Sequence, residues 1–175
     1  MPTSSATAST TAETAFHITR TIDAPRDLVW QTFTELDHLL RWWGPKGSAL
    51  MSDSFDLRPG GRFHYRMRLP DGTIMWGLFS YHELQEPDRI AFTSSFADEE
   101  GNVVRAPFSD KWPLTVLNVW TFSEQDGHTR LEMVGRPHKA TAEEQDQFRS
   151  MHDSMRLGFG GTFDQWDAYL KGMTN

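Results

Sequence analysis

Polar and apolar residues alternate from Phe16 to Ile22, with Phe16 and Ile18 separated by polar positions, which is the period of a half-buried strand. The period lengthens after Pro25. Val29, Trp30, Phe33 and Leu36 recur at helical spacing, and a proline suits the first helical position, so a helix is predicted over 25–36. A second short helix is predicted behind Asp37, with Leu39, Leu40 and Trp43 on its apolar side and Gly44-Pro45 ending it. From Met51 to Gly135 short alternating runs are broken by turn residues at Arg58-Pro59-Gly60-Gly61, Pro70-Asp71-Gly72, Glu86-Pro87-Asp88, the polar stretch 97–113 and Asp126-Gly127. This spacing predicts an antiparallel meander with strands near 51–57, 62–69, 73–84, 89–96, 114–122 and 128–135, seven with the first.

One hairpin can be read to its register. In Leu69-Pro70-Asp71-Gly72-Thr73, proline suits the second position of a type I turn and glycine the left-handed position that follows, which favours a three-residue loop. Met67 then faces Met75, Tyr65 faces Gly77 and Phe63 faces Phe79. Phe63, Tyr65, Met67, Met75, Phe79 and Tyr81 share the inner face, whereas His64, Arg66, Arg68, Ser80 and His82 point outward. A slip of one residue would set large apolar groups opposite charged ones. Trp76 and Leu78 fall on the outer face, where they hint at a homodimer contact.

Thr141-Ala142-Glu143-Glu144 matches a capping box and predicts the start of a long helix. Phe148, Met151, Met155, Phe159, Thr162, Trp166, Tyr169 and Leu170 form its apolar stripe. Gly158, Gly160 and Gly161 oppose that reading, since each costs on the order of 1 kcal/mol against alanine inside a helix. A kink, close packing on the sheet, or volume left for a ligand would each account for them.

Composition narrows the class. The 175 residues fit one domain, read as 15–172, after a Ser/Thr/Ala-rich segment 1–14 expected to be a disordered tail. Seventeen Lys and Arg against 24 Asp and Glu give a charge of −7, which disfavours nucleic acid and anionic lipid as partners. No apolar run is long enough for a membrane span, so a cytoplasmic protein is expected. Cysteine is absent, and the seven histidines show no metal-ligand spacing, so neither a metal nor a cofactor is expected. No Gly-x-Ser-x-Gly elbow occurs, and the glycines at 158–161 lack the Lys-Ser/Thr of a phosphate loop.

Several runs carry a resemblance: Ile22-Asp23-Ala24-Pro25-Arg26-Asp27-Leu28-Val29-Trp30, Trp42-Trp43-Gly44-Pro45, Asp56-Leu57-Arg58-Pro59-Gly60-Gly61-Arg62-Phe63, Met67 ahead of Pro70-Asp71-Gly72, and Pro87-Asp88-Arg89-Ile90-Ala91-Phe92. Together, over about residues 16–171, the chain resembles the START-like SRPBCC superfamily. The branch is similar to the C-terminal domain of the heat-shock protein 90 ATPase activator. The resemblance implies an α+β helix-grip (START/Bet v 1-like) fold, in which a seven-stranded curved antiparallel sheet wraps a long C-terminal helix and two short helices follow the first strand. It also implies a ligand space between sheet and helix. Superfamily members hold lipids, hormones or polyketides there, and some catalyse cyclisation. The eukaryotic activator has a separate N-terminal domain for the chaperone, where this chain has a short tail.

The inner face and helix stripe nominate a ligand-binding set: Trp43, Phe63, Tyr65, Met67, Met75, Phe79, Tyr81, Phe92, Asn118, Trp120, Leu131, Met133, Met151, Met155 and Phe159. Trp42 or Trp43 would border the cavity mouth. Asn118 shares the face of Trp120 and as a buried amide needs partners, either a ligand or Tyr65 or Tyr81. Glu83, on the parity of Tyr81, is a candidate acid or base, with a solvated carboxylate as the plainer reading. The first expectation is a small hydrophobic molecule held without catalysis. A chaperone partner of the heat-shock protein 90 type and a cyclase- or hydratase-like enzyme are the two alternatives.

Overall fold

The computed structural model describes residues 14–174, so the predicted tail lies outside the described residues except for Thr14. Thr14 is buried, and its hydroxyl accepts a hydrogen bond from Arg149 Nη2 at 2.7 Å. Strand β1 (Phe16–Ile22) leads into helices α1 (Arg26–Thr34) and α2 (Leu36–Trp42). Strands β2 (Ala49–Phe55), β3 (Arg62–Arg68), β4 (Ile74–Gln85), β5 (Arg89–Ala97), β6 (Val103–Val104), β7 (Thr115–Gln125) and β8 (His128–His138) follow, then α3 (Ala142–Ser150) and α4 (His152–Thr174). The sheet is antiparallel in the order β1-β8-β7-β5-β4-β3-β2, with β6 beside β5. This is the helix-grip arrangement, with the long helix lying along a curved sheet.

The β3–β4 hairpin has the register that its turn chemistry demands: Phe63 pairs with Phe79, Tyr65 with Gly77 and Met67 with Met75. Leu69 N donates to Thr73 O, Gly72 N donates to Leu69 O, and Gly72 takes φ +90°, a conformation that glycine adopts without steric cost. The β4–β5 pairing shifts between Tyr81 and Glu83, so the inner-face parity of β4 ends at Tyr81.

Three features depart from the pattern reading. The stretch 97–113 holds a short strand: Asp98 Oδ1 accepts from the amides of Glu100 and Asn102, folding a tight turn that returns β6 to β5. Leu78, on the outer face, is only 3 % exposed. The same face carries His64 stacked on Trp76 at 5.4 Å, with the 98–102 turn against it through Asp98 O and His64 Nε2. No apolar patch containing Leu78 is therefore left open for a second copy.

The third departure is the terminal helix. It breaks at Met151 (φ −98°, ψ 3°), between α3 and α4, and then runs through Gly158, Gly160 and Gly161 without interruption. A Cβ at any of these glycines would meet nothing within 4 Å. They serve neither a kink nor close packing, and they do not open space above the sheet.

The C-terminal half of α4 is pinned by a buried polar joint. Trp166 Nε1 donates to Thr32 Oγ1 at 2.8 Å, Thr32 Oγ1 donates to Val29 O, and Trp42 Nε1 donates to Thr32 O at 2.8 Å. The two indoles stack at 4.1 Å with planes 3° apart, and Phe33 stacks on Trp120 at 4.3 Å. Phe163, Trp166 and Leu170 are buried against this cluster, and His38 Nδ1 meets Tyr169 Oη at 2.6 Å.

Two expected outcomes follow from these contacts. Thr32→Val keeps the volume but leaves the Trp166 N–H buried without an acceptor, so urea unfolding should show a loss of about 1–3 kcal/mol; Thr32→Ser should retain most of the stability. Gly158→Ala and Gly161→Ala should each raise the unfolding free energy by about 0.4–1 kcal/mol, because the helix already accepts an L-residue there and the space is open.

Candidate functional site

Beyond Thr162 toward its N-terminus, α4 packs on β1 through His152 and Phe159 against Phe16, while the half-buried Met155 and Phe159 face a space bordered by β3, β4, β5 and β7. Beneath them lies an apolar cavity of about 240 Å³. Its wall is built from Trp43, Tyr65, Met67, Met75, Trp76, Gly77, Phe79, Ser94, Ser95, Phe96, Trp112, Val116, Asn118, Met155 and Phe159.

The sheet supplies these side chains by alternation. Tyr65 and Met67 come from β3, Met75 and Phe79 from β4, Ser94 and Phe96 from β5, Val116 and Asn118 from β7. Gly77 makes room for its cross-strand partner: a Cβ there would lie 2.3 Å from Tyr65 Cζ, so the phenol lies across a bare backbone. Trp43 follows α2 and packs edge-on against Phe79 at 5.4 Å. Next to it, Gly44 O accepts from Thr162 Oγ1 and Gln165 Nε2, fastening this corner to α4.

Of the sequence candidates, Trp43, Tyr65, Met67, Met75, Phe79, Asn118, Met155 and Phe159 meet at the cavity. Phe63, Tyr81, Phe92, Trp120, Leu131 and Met133 are buried in the continuous core on either side, and Met151 is half-buried at the α3–α4 joint. Trp42 belongs to the core stack, so it is Trp43 that borders the cavity. Ser94 and Phe96 share the parity of Phe92, and Val116 that of Asn118, so alternation already pointed to them. Trp112 gave no such signal, because it sits in the aperiodic stretch 97–113.

The polar atoms of the wall are few. Asn118 bonds neither Tyr65 nor Tyr81; its Nδ2 donates to Ser94 Oγ at 3.0 Å and to Val116 O at 3.1 Å. Burial pushes the Tyr65 phenol up to about 12 against an opposing hydrogen bond from Trp43, and burial also raises Tyr81. Both phenols stay neutral at ordinary pH. Glu83 lies outside the cavity, where it pairs with Arg89 at 3.4 Å and accepts from Gln85 at the surface. The wall therefore carries no carboxylate, imidazole, ammonium or guanidinium. Among the described residues, no cluster of His, Asp and Glu is placed to hold a metal ion, and no helix is long and apolar enough to cross a membrane.

The segment from Arg105 to Trp112 flanks the cavity, with Trp112 in its wall. Phe96, Phe108, Trp112 and Phe148 form a chain of ring contacts from β5 to α3, with centroids 5.4–5.8 Å apart. Outside the rings, Arg105 binds Glu144 and the Trp112 carbonyl, and Lys111 binds Glu143. Glu144 also completes the capping box predicted at Thr141, accepting from Thr141 N at 2.8 Å while its own amide donates to Thr141 Oγ1.

Comparison with known proteins places this architecture. A family model described as Activator of Hsp90 ATPase homolog 1-like protein matches residues 23–171. The chain belongs to this family. Among solved structures, a protein from Mycobacterium smegmatis is 33 % identical, with a TM-score of 0.74 over 91 % of this chain and 92 % of that one. A protein from Arthrobacter aurescens is 27 % identical (TM-score 0.76, 93 % and 88 % covered), and one from Nitrosomonas europaea 25 % identical (TM-score 0.73, 93 % and 97 % covered). A putative protein of the dynemicin biosynthetic locus, 18 % identical, shares the fold with a TM-score of 0.58, and the match spans 47 % of its length. No curated protein matches the sequence. The family match runs from the residue after Ile22 to the end of the pinned half of α4, and so takes in every cavity-lining element.

The Arg105–Glu144 pair on the flanking segment gives a pH dependence. The Arg105 guanidinium, and then the Thr141 amide, hold the Glu144 carboxyl below its usual range. A depressed folded-state value means stability that is present above the unfolded carboxylate pKa of about 4.3 and lost as pH falls through the lower folded one. The stability difference between the native protein and Glu144→Gln, which keeps an acceptor for the cap, should be largest at neutral pH. It should shrink from roughly pH 5 downward in urea titrations.

Proposed function

We propose that this member of the family binds a small, largely apolar molecule in the cavity beneath the first half of α4, and that it does so without catalysing a reaction. One observation carries the reading: a ring- and methionine-lined space of about 240 Å³ is left between sheet and helix, beside a continuous cluster of buried side chains. Roughly 150 Å³ of apolar cavity suffices for benzene, so a molecule of one or two rings is the matching size. Met67, Met75 and Met155 give the wall adaptable, polarisable surface.

Acid–base catalysis needs titratable groups converging on the substrate. Tyr65 and Asn118 do meet here, but the phenol is held neutral, and Glu83 and Tyr81 lie elsewhere. Binding is what the wall supports.

Methionine-methyl NMR tests this with naphthalene as the probe. Saturable shifts are expected at Met67, Met75 and Met155, and none at Met133 in the core or Met173 at the end of α4. Val116→Phe, which fills the space, should remove them. Unchanged spectra, or shifts that survive Val116→Phe, would overturn the reading.

A further inference from the structure

The cavity's polar atoms specify more than size. Asn118 is 6 % exposed, and its orientation is fixed chemically: Val116 O can only accept, so the group facing it is the amide nitrogen. Both amide hydrogens are spent, one on Val116 O and one on Ser94 Oγ. That leaves Asn118 Oδ1 as an acceptor with no described donor, and it is not among the fully buried atoms. Because Ser94 Oγ already accepts, its own hydrogen is left to donate. Asn118 thus offers a free acceptor and Ser94 a free hydroxyl hydrogen on an otherwise apolar wall, with Asn118 Nδ2 joined to Ser94 Oγ. A hydrocarbon that covered these atoms would leave them unpaired at a cost of about 1–3 kcal/mol, so a ligand that satisfies both gains where a pure hydrocarbon does not.

We infer that the molecule held here is a neutral hydroxylated aromatic, its hydroxyl seated between Ser94 and Asn118 so that it donates to Asn118 Oδ1 and accepts from Ser94 Oγ. This inference rests on the binding reading above. An anionic ligand is disfavoured on two grounds. The wall offers no cation to compensate it, and a carboxylate would turn lone pairs toward the lone pairs of Asn118 Oδ1. A carboxylate turned toward the mouth instead would leave both wall atoms unpaired. The neutral Tyr65 phenol adds a further uncharged polar group to the same wall and no negative charge.

Calorimetric titration of the full chain at neutral pH with naphthalene, 2-naphthol and 2-naphthoate separates the possibilities. 2-Naphthol is expected to bind about tenfold tighter than either of the others, equivalent to about 1.4 kcal/mol. Ser94→Ala should lower 2-naphthol affinity several-fold more than naphthalene affinity, removing the preference. Circular dichroism melting shows whether the variant is folded, and Ser94→Thr, which restores the hydroxyl, should restore the preference. Naphthoate binding as tightly as naphthol, or a naphthol preference that survives Ser94→Ala, would overturn the inference while leaving cavity binding in place. Failure of all three probes to bind would overturn the cavity reading itself.

Discussion

The indole N–H of Trp166 is buried among rings and has one acceptor, the Thr32 hydroxyl, while the carbonyl of the same residue takes the N–H of Trp42. Because an unpaired N–H in such a place is costly, the rotation of α4 and its distance from α1 are fixed at this point. The parallel indoles and the Phe33–Trp120 stack then fill the wedge on that side. The other half of the helix rests on β1, with His152 and Phe159 against Phe16, and Met155 and Phe159 only partly fill the space bordered by β3, β4, β5 and β7.

Charge in this protein is kept at the periphery of that gap. Arg105, Lys111, Glu143 and Glu144 fasten the Trp112 segment from outside the ring chain, and Arg20 on β1 holds Asp164 and Asp167 of α4. The partly exposed pairs contribute little each, and Glu144, the least exposed, is also held by the cap. The cavity wall is left with a few neutral polar atoms and no charged group.

Local rules made much of the fold legible. The Pro-Asp-Gly turn and the apolar alternation around it agreed on one register, and Thr141 and Glu144 announced a helix start through the bonds they then form. Family-specific runs added the order of the elements. What stayed hidden was set by tertiary contact. The break at Met151 has no proline or glycine to signal it, and the apolar stripe continues across it. Trp112 and β6 lie in a polar stretch whose structure comes from Asp98 capping its own turn and from Arg105 reaching Glu144, neither of which has a period. The inner face was readable as a face, but alternation could not tell Phe63 or Tyr81 in the packed part from Tyr65 or Phe79 at the cavity wall. That division depends on which strands the side chains of α4 reach.

The same division gives meaning to glycines that packing does not explain. Gly158, Gly160 and Gly161 lie in the half of α4 above the cavity, where each weakens the helix by about 0.5–1 kcal/mol relative to alanine and no close contact compensates. Leu157 beside them is 81 % exposed and adds no burial. The pinned half, by contrast, carries Phe163, Trp166 and Leu170 with almost no exposure. Helix propensity and tertiary burial therefore fall off together along one element, and local opening free energies follow both. What holds the segment His152–Gly161 is contact with β1 and its approach: His152 and Phe159 pack on Phe16, Arg156 Nη2 donates to His17 O, and His152 Nε2 meets Thr14 O.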